Sequence, residues 1–95
     1  MPRKNNRKQS PKKRAYFKLE APEAKEVALA GNFNDWDTDS RHLKQNKKGI
    51  WTTFLSLEPD AYEYRFLVDG EWQNDPAAEV VPNEYGTMNC VRIVP

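Results

Sequence analysis

Seven residues near the middle of the chain, Tyr62-Glu63-Tyr64-Arg65-Phe66-Leu67-Val68, alternate strictly and run into Asp69-Gly70. Alternation of period two is the signature of a strand with one buried face. Asp-Gly after such a run is a strong two-residue hairpin signal. Tyr62, Tyr64, Phe66 and Val68 are therefore expected to face a core, and Glu63, Arg65 and Leu67 the other side, with Glu71-Trp72-Gln73 as the return strand.

The flanking sequence repeats this pattern of short strands and turns. Tyr16–Glu20 reads as a strand stopped by Pro22. Glu26–Ala30 reads as a second, ended by Gly31, with Val27 and Leu29 on one face. A polar stretch from Asn32 to Arg41 follows, with a short strand expected around Leu43. Asn46-Lys47-Lys48-Gly49 is a turn, Ile50–Leu57 a β-branched and aromatic strand, and Glu58-Pro59-Asp60 another turn. Asn74–Gly86 reads as a long turn-rich segment, and Met88–Val94 as the last strand. No stretch carries a sustained helical period. Six or seven short strands with turns at regular spacing predict an all-β sandwich.

Charge divides the chain. Residues 1–14 hold Arg3, Lys4, Arg7, Lys8, Lys12, Lys13 and Arg14 and no acid, whereas residues 15–95 hold eight Lys and Arg against fourteen Asp and Glu. The first segment lacks apolar side chains after Met1, so it cannot offset its ordering entropy and is expected to be disordered. One folded domain is expected over residues 15–95. One cysteine, Cys90, excludes an internal disulfide. No apolar leader follows Met1 and no run has the length of a membrane span, so a cytoplasmic protein with a reduced thiol is expected.

Two tryptophans stand in turn motifs: Gly31-Asn32-Phe33-Asn34-Asp35-Trp36 and Val68-Asp69-Gly70-Glu71-Trp72-Gln73-Asn74-Asp75-Pro76. Asn, Asp and Gly belong to turns and strand ends rather than to a core. An indole presented there offers a flat apolar face with a polar rim, which suits a pyranose ring. Against this stands inward packing, the usual fate of Trp. Trp51, within an alternating strand, is assigned to the core.

Residues 30–36, Gly49-Ile50-Trp51, residues 62–72 and Asp75-Pro76 together resemble the family 48 carbohydrate-binding modules. These include the glycogen-binding domain of the AMP-activated protein kinase β subunit and the early-set domains of branching and debranching enzymes. The resemblance runs from about Ala15 to Val94. It implies an immunoglobulin-like sandwich that binds glycogen or starch-like α-glucan, including maltooligosaccharides and cyclodextrins. It places Trp36 and Trp72 as stacking residues and Arg65 where kinase β subunits usually carry Lys. Tyr85-Gly86-Thr87-Met88-Asn89 matches the family's Leu-Gly-Thr-x-Asn loop, so Thr87 and Asn89 are implied hydrogen-bonding residues. Tyr85 departs from the family Leu, as either a third stacking face or an obstruction. Asn74 is a further candidate partner for sugar hydroxyls.

Other chemistry finds little support in the sequence. Asp35-x-Asp37-x-Asp39 lacks the Gly and Glu that a calcium loop requires at Ser40 and Asn46. His42 is the single histidine, which excludes a multi-histidine metal site. Cys90 in a β run reads as a buried small hydrophobe. No catalytic constellation or cofactor motif is present, so a non-catalytic adaptor or sensor is expected. Two alternatives remain open: a protein-interaction domain that has lost sugar binding, and nucleic-acid or acidic-surface binding through residues 1–14. The latter predicts steep salt dependence.

Overall fold

A computed structural model describes residues 11–95. Of the tail expected to be disordered over residues 1–14, residues 1–10 lie outside the described part. Two antiparallel sheets, with no helix among the described residues, form the sandwich.

The first sheet contains β1 (Lys13–Glu20), β3 (Lys44–Gln45) and β4 (Ile50–Leu57), ordered β1-β4-β3. β1 pairs with β4 from Lys13↔Leu57 to Glu20↔Ile50. It starts two residues before the expected boundary, so Lys13 and Arg14 belong to the sandwich. Its alternation is clean, with Ala15, Phe17 and Leu19 inward and Arg14, Tyr16, Lys18 and Glu20 outward.

The second sheet is organised by β5 (Asp60–Val68), the alternating strand. Along one edge, Tyr64–Val68 pairs with β2 (Val27–Gly31). Along the other, Asp60–Tyr64 pairs with β8 (Met88–Val94), and Phe66–Val68 with β6 (Glu71–Gln73). β7 (Glu79–Pro82) closes the sheet against β8. The segment 74–86, expected to be turn-rich, thus also contains a short strand. Four residues ending on Pro82 become a strand because β8 offers a free edge, where proline at the strand end is tolerated.

The Asp69-Gly70 hairpin forms as expected. Both residues have positive φ, 49° and 87°, the combination a type I′ turn requires. The Asp69 carboxylate accepts from the Lys25 and Glu26 amides, each at 2.9 Å, and ties the hairpin to the entry of β2. The strand expected near Leu43 is a crossing segment. The Leu43 amide bonds the Val27 carbonyl at 2.9 Å on the second sheet, and Lys44–Gln45 then joins the first.

The core lies between the sheets. Phe17 meets Tyr64 edge-on at 5.0 Å, and Tyr64 meets Phe66 at 5.8 Å. Leu29, Val27 and Cys90 are fully enclosed with them. Each large apolar side chain of this kind contributes about 1.5–3 kcal/mol by leaving water. Trp51 is buried as expected, and its indole N–H reaches the Ala21 carbonyl at 2.9 Å. Tyr64 keeps its proton: burial is the largest of the effects that push its phenol up to about 12. Burial likewise raises the Cys90 thiol.

Candidate functional site

The solvent face of β5 is where the hairpin and the final loop converge. Glu63 and Arg65 leave this strand on the side opposite Tyr64 and Phe66, and both line a groove of about 790 Å³. Trp36 forms one part of its wall, Trp72 another, and the segment Pro82–Thr87 a third.

Trp36 is presented by a loop held in a rare backbone conformation. Asp35 and Trp36 have φ of 56° and 58°, the left-handed region that side chains with a Cβ disfavour by about 1–2 kcal/mol per residue. Asn34 holds the loop in place. Its Oδ1 accepts from the Gly31 amide at 3.0 Å, and its Nδ2 donates to Ser40 Oγ at 2.8 Å. The Trp36 amide also donates to the Gly31 carbonyl at 2.9 Å. Gly31 permits the close approach: a Cβ there would lie 2.5 Å from the Glu63 carbonyl oxygen and 2.7 Å from the Phe33 ring. Trp36 itself is half-buried, with its accessible part on the groove.

Trp72 projects from β6, opposite Leu67, and is 43% exposed. Arg65 lies beside it, with Cζ 5.8 Å from the ring centre. The guanidinium is held from two sides. Its Nε donates to Asn74 Oδ1 at 2.7 Å and its Nη1 to Thr87 Oγ1 at 3.3 Å. Asn74 in turn donates to the Met88 carbonyl at 2.9 Å. Asn74, alone of the seven candidates, does not line the groove. It positions Arg65.

The last loop is organised by a residue the sequence reading missed. Asn83 Oδ1 accepts from the amides of Tyr85 and Thr87, each at 3.0 Å. Its Nδ2 donates to Thr87 Oγ1 at 2.8 Å and to Asn89 Oδ1 at 2.9 Å. Asn89 is 7% exposed at the groove floor and passes the chain on, donating to Glu63 Oε1 at 3.1 Å. Tyr85 stands at the rim, 81% exposed, and its hydrogen bond to Glu84 raises its pKa.

Of the seven candidate residues, the structure brings six to one groove: Trp36, Arg65, Trp72, Tyr85, Thr87 and Asn89. Asn32, Glu63, Pro82, Asn83 and Glu84 line it as well and had not been singled out. Glu63 was accessible to reasoning, since it shares the alternating face of Arg65. Asn83 was not, because its partners are set by the return of the loop.

Asp35, Asp37 and Asp39 form a turn in which Asp37 Oδ1 accepts from the Asp39 amide at 2.8 Å. No group of three or more potential metal ligands occurs among the described residues. No helix there is long and apolar enough to cross a membrane.

The fold and the groove define a β-sandwich module that presents aromatic faces beside fixed hydrogen-bonding groups. The chain belongs to the family described as the glycogen recognition site of AMP-activated protein kinase, whose model matches residues 15–95. Among curated relatives, Protein FLOURY ENDOSPERM 6, chloroplastic, of Oryza sativa subsp. japonica is 42% identical over 70 residues, covering 74% of this chain and 13% of that protein. The human 5'-AMP-activated protein kinase subunit beta-2 is 37% identical over 65 residues, 68% of this chain and 23% of the subunit. The pig subunit beta-1 is 38% identical over 67 residues, 70% of this chain and 52% of that sequence. The matches thus span from about an eighth to about half of these relatives' lengths.

Proposed function

We propose that the groove binds α-1,4-glucan, with Trp36 and Trp72 stacking on successive glucose units. Covering the C–H face of a pyranose with indole removes apolar area from water. The ring's hydroxyls then require partners, because an unpaired polar group at a dry contact costs about 1–3 kcal/mol. Arg65, Thr87 and Asn89 supply them, and Tyr85 extends the apolar rim. The observation that carries this reading is the preassembled polar floor. Arg65, Thr87, Asn83, Asn89 and Glu63 are already hydrogen-bonded to one another, so little ordering entropy remains to be lost on binding. Family membership and the similarity to kinase β subunits support the same ligand class. The domain acts without catalysis, as an adaptor or sensor that brings an associated activity to the polymer.

A titration of maltoheptaose or β-cyclodextrin followed by tryptophan fluorescence tests the proposal. A saturable change in the native protein, lost in Trp72→Ala, supports it. An unresponsive native protein at millimolar sugar refutes it. Binding should be nearly salt-independent, since the stacked ligand is neutral.

A further inference from the structure

We infer that the groove selects neutral glucans and rejects glucans carrying phosphomonoesters, and that Glu63 is the residue that discriminates. The inference rests on the glucan-binding reading and adds the ligand's charge class.

Two carboxylates line the groove, Glu63 on its floor and Glu84 at its rim, against one cation, Arg65. Glu63 is half-buried and held in place. One carboxylate oxygen receives the Asn89 carboxamide at 3.1 Å, and the Glu63 amide and carbonyl are both bonded to Asn32, at 3.2 and 3.0 Å. The second carboxylate oxygen receives no side-chain hydrogen bond among the described residues. A carboxylate is an acceptor only, and its bonds to hydroxyl donors are short and strong. Sugar hydroxyls meet that requirement.

A phosphomonoester does not. It carries about −1.5 to −2 charge near neutral pH and is rich in acceptor oxygens, so it repels Glu63 without offering it a proton. Arg65 offsets this effect only in part. Its Nε and Nη1 are committed to Asn74 and Thr87, and it stands two residues from Glu63 on the same strand face. Residues so spaced are separated by about 7 Å along a strand, so a phosphate drawn to Arg65 is also brought towards Glu63.

The test compares maltoheptaose with maltoheptaose bearing one 6-phosphate, titrated against the native chain and Glu63→Gln. Glutamine keeps the oxygen that accepts from Asn89, so the thermal midpoint should be unchanged. The native protein is expected to bind the phosphorylated sugar at least tenfold more weakly than the neutral one. In Glu63→Gln the neutral sugar should weaken several-fold and the discrimination should shrink to within about threefold. Equal binding of the two sugars by the native protein, tighter binding of the phosphorylated one, or an unchanged ratio in the variant overturns the inference while leaving glucan binding intact. Binding of neither sugar removes the glucan reading, and this inference with it. A measurement independent of the variant is the native protein's discrimination in about 0.5 M NaCl, which should narrow through screening. A ratio indifferent to salt also overturns the inference.

Discussion

Replacing Asn83 with alanine removes one side chain and with it the internal bonding of a whole loop. The Tyr85 and Thr87 amides and the Thr87 hydroxyl lose an acceptor, and Asn89 Oδ1 loses a donor at 2.9 Å. The two amides lie in an exposed turn and recover most of their loss from water. Asn89 is nearly buried, so its unpaired oxygen carries the larger penalty, about 1–3 kcal/mol. With a smaller contribution from the turn, the expected loss is about 2 kcal/mol. For a domain of this size, 1 kcal/mol corresponds to roughly 4–8 °C, so the midpoint should fall by about 8–16 °C. Thermal unfolding by calorimetry or circular dichroism measures the first effect. A maltoheptaose titration measures the second, an expected tenfold loss of affinity as Tyr85 and Thr87 lose their fixed positions. Asn83→Asp keeps the acceptor for both amides but sets a carboxylate oxygen against Asn89 Oδ1, so its midpoint should fall at least as far as that of Asn83→Ala. A midpoint within about 2 °C of native for Asn83→Ala would refute the claim that this side chain organises the loop.

Three further outcomes are expected. Gly31→Ala should destabilise by about 3 kcal/mol or more, because the new Cβ meets the Glu63 carbonyl at 2.5 Å and backbone cannot move aside as a flexible side chain does; a urea midpoint near native would contradict this. Alkaline pH should also weaken the fold. Tyr64 and Cys90 hold their protons more tightly folded than unfolded, so the stability they contribute is intact below about pH 8 and is lost as pH rises towards 12; a urea midpoint unchanged between pH 7 and 10.5 would exclude the linkage. Tyr85→Leu should leave the thermal midpoint within about 2 °C, since the ring is 81% exposed, yet weaken maltoheptaose several-fold; tighter binding would instead identify Tyr85 as an obstruction.

Strands and turns were legible because their causes are local. Period-two alternation over Tyr62–Val68 and the left-handed tolerance of Asp69-Gly70 act within a few residues, and the structure reproduces both. Trp51 was assigned to the core and is buried there, and Trp72, expected at the surface, is 43% exposed, whereas Trp36 is half-buried with part of its ring on the groove. β7 was not legible, because four residues that end on a proline become a strand only when β8 supplies an edge.

The polar floor divides in the same way. The sequence determined that a sandwich would form, that β5 would show Glu63 and Arg65 to one side, and that one indole would sit in a turn and another on the short strand after the hairpin. Only the tertiary structure decided that Asn74 holds Arg65 rather than lining the groove, and that Asn83 joins Thr87 to Asn89 and so to Glu63. Alternation is a property of one strand's covalent geometry. A hydrogen bond between Asn89 and Glu63, 26 positions apart, exists only once the strands have paired and their register has been chosen by the core.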